Sequence, residues 1–125
     1  MVAFDTNYLV RHLVQDDSKQ SKVVAKIVEE EISQGRAILI LDLVLCETIW
    51  VLKSAYTANR NDIVSVLDGL LQEPCFEFED QKIIKSAVLR FKKGKADFSD
   101  YILAEKCISK NRSLLTFDKA LQREL

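Results

Sequence analysis

Residues 37–56 read AILILDLVLCETIWVLKSAY, a five-residue apolar run and a longer apolar stretch separated by Asp42. The first run, Ala37 to Leu41, has the length and continuous hydrophobicity of a strand buried on both faces. Asp42 is placed to cap a helix that continues to about Tyr56. A buried strand followed at once by a helix is half of a βαβ unit, and the same alternation recurs along the chain. Met1 to Phe4 (MVAF) is a short apolar run, followed by a helix over Thr6–Val14 and another over Lys19–Gln34. That second helix is capped by Ser18, striped by Val23, Val24, Ile27, Val28 and Ile32, and ended by Gly35.

Downstream, a helix is expected from Asp62 to Gln72 and a strand from Cys75 to Phe78. Helices over Gln81–Lys93 and Phe98–Ser109 follow, then a strand over Ser113–Phe117 and a short helix after Asp118. Continuous apolar strands alternating with amphipathic helices predict a parallel sheet covered on both faces. The right-handed crossover rule makes that a three-layer α/β/α, doubly wound domain. With 125 residues, few glycines and prolines and no low-complexity linker, a single domain over 1–125 is expected.

Composition narrows the function. The apolar runs are too short to span a bilayer and no secretory leader opens the chain, so a cytoplasmic protein is expected. Cys46, Cys75 and Cys107 are odd in number, widely spaced and without a CxxC pair, which argues against a disulfide framework or a zinc site. His12 is the lone histidine and reads as structural. Eighteen basic against nineteen acidic residues give a net charge of −1, so any nucleic-acid contact must be local.

The acids are the informative residues. In open parallel sheets, sites form beyond the carboxyl ends of strands. Asp5 follows the first strand, Asp118 follows the last, and Asp97 and Asp100 open the helix between. Each of Asp5, Asp42, Asp97 and Asp118 also has a plain reading as a helix cap. Glu47 is different, because it is the only charged residue from Leu43 to Leu52. Leu43, Trp50 and Val51 share its helical face, and an unpaired carboxylate among them would need a basic partner such as Arg11 or Lys53, or a metal. Several carboxylates brought together repel by about 4 kcal/mol per pair at 4 Å. Oxygen ligands without His or Cys select Mg²⁺ or Mn²⁺, ions suited to phosphodiester hydrolysis.

These motifs together are recognisable. FDTNYLVRHLVQDD around Asp5, VLCETIWVLKSAY around Glu47, KADFSDYILAE around Asp97 and Asp100, and LLTFDKAL around Asp118 resemble the PIN-domain family, and among its members the VapC-type toxins of bacterial toxin–antitoxin systems. The resemblance implies an Mg²⁺- or Mn²⁺-dependent endoribonuclease with one or two ions, leaving 5′-phosphate and 3′-hydroxyl ends. It implies Asp5, Glu47, Asp100 and Asp118 as metal-site residues, with Asp97 an outer member of the cluster. Thr6, Asn7 and Thr116 would steady them. It further implies a homodimer and a small antitoxin that lays a helix into an apolar groove on helices two to four. Many relatives continue past the TFD motif into a further edge strand, whereas this chain stops at Leu125.

Other residues are open to two readings. Arg90, Lys92, Lys93 and Lys95 form either a solvated helix end or a guide for an RNA backbone. Tyr8, Tyr56 and Tyr101 are candidates for stacking on bases, Tyr101 foremost, while Trp50 reads as core. The competing function is a non-catalytic RNA-binding or regulatory module on the same fold. A phosphoacceptor receiver domain fits poorly, because Asp16 and Asp17 lie beyond a helix from the first strand.

Overall fold

The computed structural model describes residues 1–125. It is a mostly helical α/β structure with a small parallel sheet, and it divides into two compact units, Met1–Glu79 and Asp80–Leu125.

The first unit runs α1 (Thr6–Leu13), α2 (Ser18–Ser33), β1 (Ile38–Ile40), α3 (Asp42–Ala55), α4 (Arg60–Gln72) and β2 (Phe76–Phe78). β1 and β2 are parallel, with Ile38 opposite Phe76 and Ile40 opposite Phe78. All four of those side chains are buried, so the two strands place one apolar face on the core. The expected strand at Met1–Phe4 contracts to one parallel bridge, Ala3 to Leu39. Two ladder bonds form there, Phe4 N to Leu39 O and Leu39 N to Val2 O, before Asp5 turns the chain into α1. Phe4 still reaches the core, edge-on to Phe76 at 6.0 Å.

Helix starts in this unit are decided by carboxylates and amides. Asp17, not Ser18, caps α2, accepting from Gln20 N at 3.0 Å, because a carboxylate is the stronger acceptor for an orphan amide. α4 begins two residues before the expected Asp62, since Asn59 and Asp62 close a reciprocal capping box. Asp42, expected as a cap, is instead the first helical residue of α3, and its amide donates to Glu79 Oε1 at 2.7 Å. Of the α2 stripe only Val24 is fully buried, and Val23 and Ile32 are half-exposed. Gly35, at φ +65°, ends α2 in the left-handed region, and the turn is closed by a two-pronged Arg36–Glu31 pair at 2.8 and 3.2 Å.

The second unit consists of α5 (Gln81–Lys93), α6 (Phe98–Ser109) and α7 (Lys119–Glu124). α5 is capped by Asp80 and buries Ile84, Ala87, Val88 and Phe91. Phe91 packs edge-on to Phe98 and Tyr101 of α6. The expected strand over Ser113–Phe117 does not form. Every regular element of its unit is a helix, so the segment has no ladder partner there, and Leu115 and Phe117 stand almost fully exposed. The expected central sheet is therefore represented by two strands and a bridge. No helix is long and apolar enough to cross a membrane.

Candidate active site

The first unit carries two of the expected acids, linked through Thr6. Asp5 caps α1, its Oδ1 accepting from Tyr8 N at 2.9 Å, so the plain capping reading holds. Its neighbour Thr6, the first residue of α1, donates its hydroxyl to Glu47 Oε2 at 2.7 Å. α1 packs on α3, and this bond joins residues 41 positions apart in the chain. Glu47 is thereby held beside the start of α1.

The setting of Glu47 differs from the expectation. Leu43 and Trp50, on the same helical face, are 67% and 69% exposed, and the carboxylate itself is exposed. The face is apolar in composition but turned to solvent, so burial does not force a cation on Glu47. The same fact removes Trp50 from the core. Arg11, considered as a partner, is instead engaged by Gln20, Asp16 and Tyr56. A cleft of about 440 Å³ between α1 and α2 adjoins Asp5, lined also by Asn7, Tyr8, Arg11, Lys19 and Val23.

The second unit brings together the other three acids. Asp97 caps α6, and its amide donates to Asp100 Oδ2 at 3.3 Å. Asp118 caps α7, accepting from Leu121 N at 2.8 Å, while its own amide donates to Thr116 Oγ1 at 3.1 Å. Desolvation pushes the Asp100 carboxyl up from the usual range, and the charges of Asp97 and Asp118 add to the rise against the bond from the Asp97 amide. Asp118 thus lies within electrostatic reach of Asp100.

No three His, Cys, Asp or Glu side chains converge closely enough to form a ready-made metal cage. The donor chemistry nonetheless suits a hard divalent cation. The acids carry oxygen only, and Asp100 is a half-buried carboxylate under the like charges of Asp97 and Asp118, the electrostatic condition a cation relieves.

Several secondary expectations resolve as well. His12 is structural, its Nε2 3.1 Å from Glu73 Oε2 and its ring edge-on to Phe76. The three cysteines are free; Cys75 is buried, and Cys46 and Cys107 are half-exposed. Tyr101 cannot stack on a base, because it is 1% exposed and its hydroxyl is held by Ala96 N and Glu124. The Tyr56 hydroxyl donates to Asp16, which leaves Tyr8 as the tyrosine most open to solvent. Arg90 is drawn from the basic cluster to Glu105 and the Glu124 carbonyl, whereas Lys92, Lys93 and Lys95 are exposed. Sequence reasoning missed the close packing at Gly94 and missed Glu124 altogether. Gly94 reads only as a helix terminator, and no spacing rule links Glu124 to a loop 29 residues earlier.

The chain is similar to a VapC ribonuclease of Aquifex aeolicus (strain VF5), with 24% identity over 106 residues, covering 85% of this chain and 78% of the relative. No solved structure matches it. The PIN domain family model matches residues 2–124, the whole length on which the five acids lie, and the chain therefore belongs to the PIN-domain family.

Proposed function

We propose that the protein is a metal-dependent endoribonuclease that hydrolyses RNA phosphodiester bonds, acting as the toxin of a toxin–antitoxin pair. The observation that carries this reading is the PIN-family match over residues 2–124, in a chain whose second unit joins Asp97 to Asp100 across the start of α6, sets Asp118 at the start of α7, and whose first unit keeps Asp5 and Glu47. Carboxylates placed so that their charges oppose one another cost stability unless a cation joins them. The similarity to a VapC ribonuclease supports RNA as the substrate and a small antitoxin as a partner.

In this reading Asp5 and Glu47 of the first unit and Asp100 and Asp118 of the second would be the ligands for Mg²⁺ or Mn²⁺, with Asp97 as the outer acid. A bound ion of this kind acidifies water and stabilises charge on phosphoryl oxygens. The rest falls to the chain. Glu47, held by the Thr6 hydroxyl, is fixed to accept a hydrogen bond from the attacking water. Asp5 spends one oxygen on the Tyr8 amide, which sets the direction of the other. Thr116, accepting from the Asp118 amide, steadies the backbone that carries Asp118. Lys92, Lys93 and Lys95 offer exposed positive charge near Asp97 along the chain for a phosphate backbone.

Thermal unfolding with and without Mn²⁺ tests the metal site. Binding at a hundred times Kd stabilises by about 2.7 kcal/mol, several degrees for a domain of this size. Asp100→Asn should abolish the shift. A protein whose melting is indifferent to millimolar Mn²⁺ contradicts the proposal and favours a non-catalytic RNA-binding module.

A further inference from the structure

Four contacts in the second unit meet at one point that the reading above does not use. The Tyr101 hydroxyl accepts from Ala96 N at 3.0 Å and donates to the Glu124 carboxylate. The other oxygen of that carboxylate accepts from Lys95 N at 2.8 Å. The Glu124 carbonyl accepts from Arg90 Nη1 at 3.4 Å. The last turn of α7 thus grips residues 94–96, immediately before Asp97. The grip requires Gly94: a Cβ there would sit 2.0 Å from the Tyr101 hydroxyl and 2.7 and 2.8 Å from the two carboxylate oxygens.

α7 has only six residues, too few to persist without tertiary support. Asp118 caps its first end and Glu124 lies in its last turn. Asp118, Asp97 and Asp100 carry like charge, so the helix needs an attachment that outweighs their repulsion. Leu121 supplies the apolar part, being fully buried. Glu124 supplies the directional part, with charge-assisted bonds from a backbone amide and a buried hydroxyl.

We propose that Glu124, acting through Tyr101 and the amides of Lys95 and Ala96, is the positioning residue that fixes Asp118 against the Asp97–Asp100 pair; the role rests on the metal-site reading of these acids. Glu124 touches neither substrate nor metal. It sets the spacing of the residues that do.

The test uses the full chain with Glu124→Gln and, separately, Tyr101→Phe. Glutamine keeps the size but removes the charge, and with its oxygen on Lys95 N its amide nitrogen cannot accept from the Tyr101 hydroxyl, so both charge-assisted bonds are lost. Phenylalanine keeps the ring and removes the hydroxyl. Three quantities are read: hydrogen exchange at the Lys95 and Ala96 amides, Mn²⁺ affinity by electron paramagnetic resonance, and kcat and KM on RNA. Both variants should exchange faster at those amides, bind Mn²⁺ about tenfold more weakly, and lose kcat while keeping KM. Glu31→Gln, in the first unit, is the control: it should lower the melting temperature and leave Mn²⁺ affinity unchanged. Should Tyr101→Phe not fold, Glu124→Gln alone decides. Faster exchange with wild-type Mn²⁺ affinity in Glu124→Gln overturns the positioning role and leaves a purely structural clamp. Wild-type protein that binds no Mn²⁺ overturns the metal-site reading first and the positioning role with it.

Discussion

Replacing Thr6 with valine removes one hydroxyl and keeps the shape of the side chain. In the native protein that hydroxyl donates to Glu47 Oε2 at 2.7 Å, a short bond to a charged acceptor. Such bonds contribute about 1.5–3 kcal/mol where water is excluded. Glu47 is exposed and Thr6 only half-buried, so water competes for both groups. A net orienting contribution of about 1 kcal/mol follows, which is roughly fivefold in an equilibrium constant. Stability should change little, by about 0.5 kcal/mol, because both partners can return to solvent. Function should change more, because Glu47 is no longer tied to the start of α1. The assay is a Mn²⁺ titration followed by kcat/KM on RNA under saturating Mn²⁺, which separates lost occupancy from lost orientation. Thr6→Val should weaken Mn²⁺ about fivefold and reduce kcat/KM even at saturation, whereas Thr6→Ser should behave as wild type. Wild-type affinity and rate in Thr6→Val would refute the reasoning.

Three further outcomes follow from particular side chains. Leu121, the one buried residue of α7, should cost about 2–5 kcal/mol as Leu121→Ala, and amides of residues 119–124 should then exchange far faster; unchanged protection there would contradict the docking of α7. Burial, followed by the Glu73 charge, pushes the Cys75 thiol up to about 11. Ellman's reagent at pH 8 should therefore modify Cys46 and Cys107 while sparing Cys75, and equal reactivity of all three would contradict it. Asp100 is pushed up in the folded state, so its ionised form opposes folding at neutral pH and its protonated form does not. Asp100→Asn should be the more stable protein at pH 7 in EDTA, and the gain should vanish below the unfolded carboxyl value of about 3.9; a less stable variant at pH 7 would contradict the sign.

The parts of the fold that were readable are those specified locally. α5 and α6 have the bounds expected from sequence, because Asp80, Gly94 and Asp97 punctuate the chain where the helices begin and end. The Asp97–Asp100 pair was visible in its three-residue spacing. Strands depend on partners that the chain must bring from elsewhere. β1 and β2 found each other, Met1–Phe4 secured only a bridge, and Ser113–Phe117 has no strand in its own unit to pair with. The exposure of Glu47 departs from the expectation for a related reason. A helix apolar nearly all round carries no periodic signal to show which face turns outward, and here the face of Leu43, Glu47 and Trp50 does. That Tyr101 is buried and not free to stack is not legible locally, because its partner, Glu124, lies 23 residues away and only the fold brings them together.

The most direct test of the nuclease reading is cleavage of single-stranded and structured RNAs by the purified protein in Mg²⁺, Mn²⁺ or EDTA, beside Asp5→Asn. Cleavage that requires the metal and disappears in the variant is the predicted result. Cleavage that survives both EDTA and the substitution would contradict it.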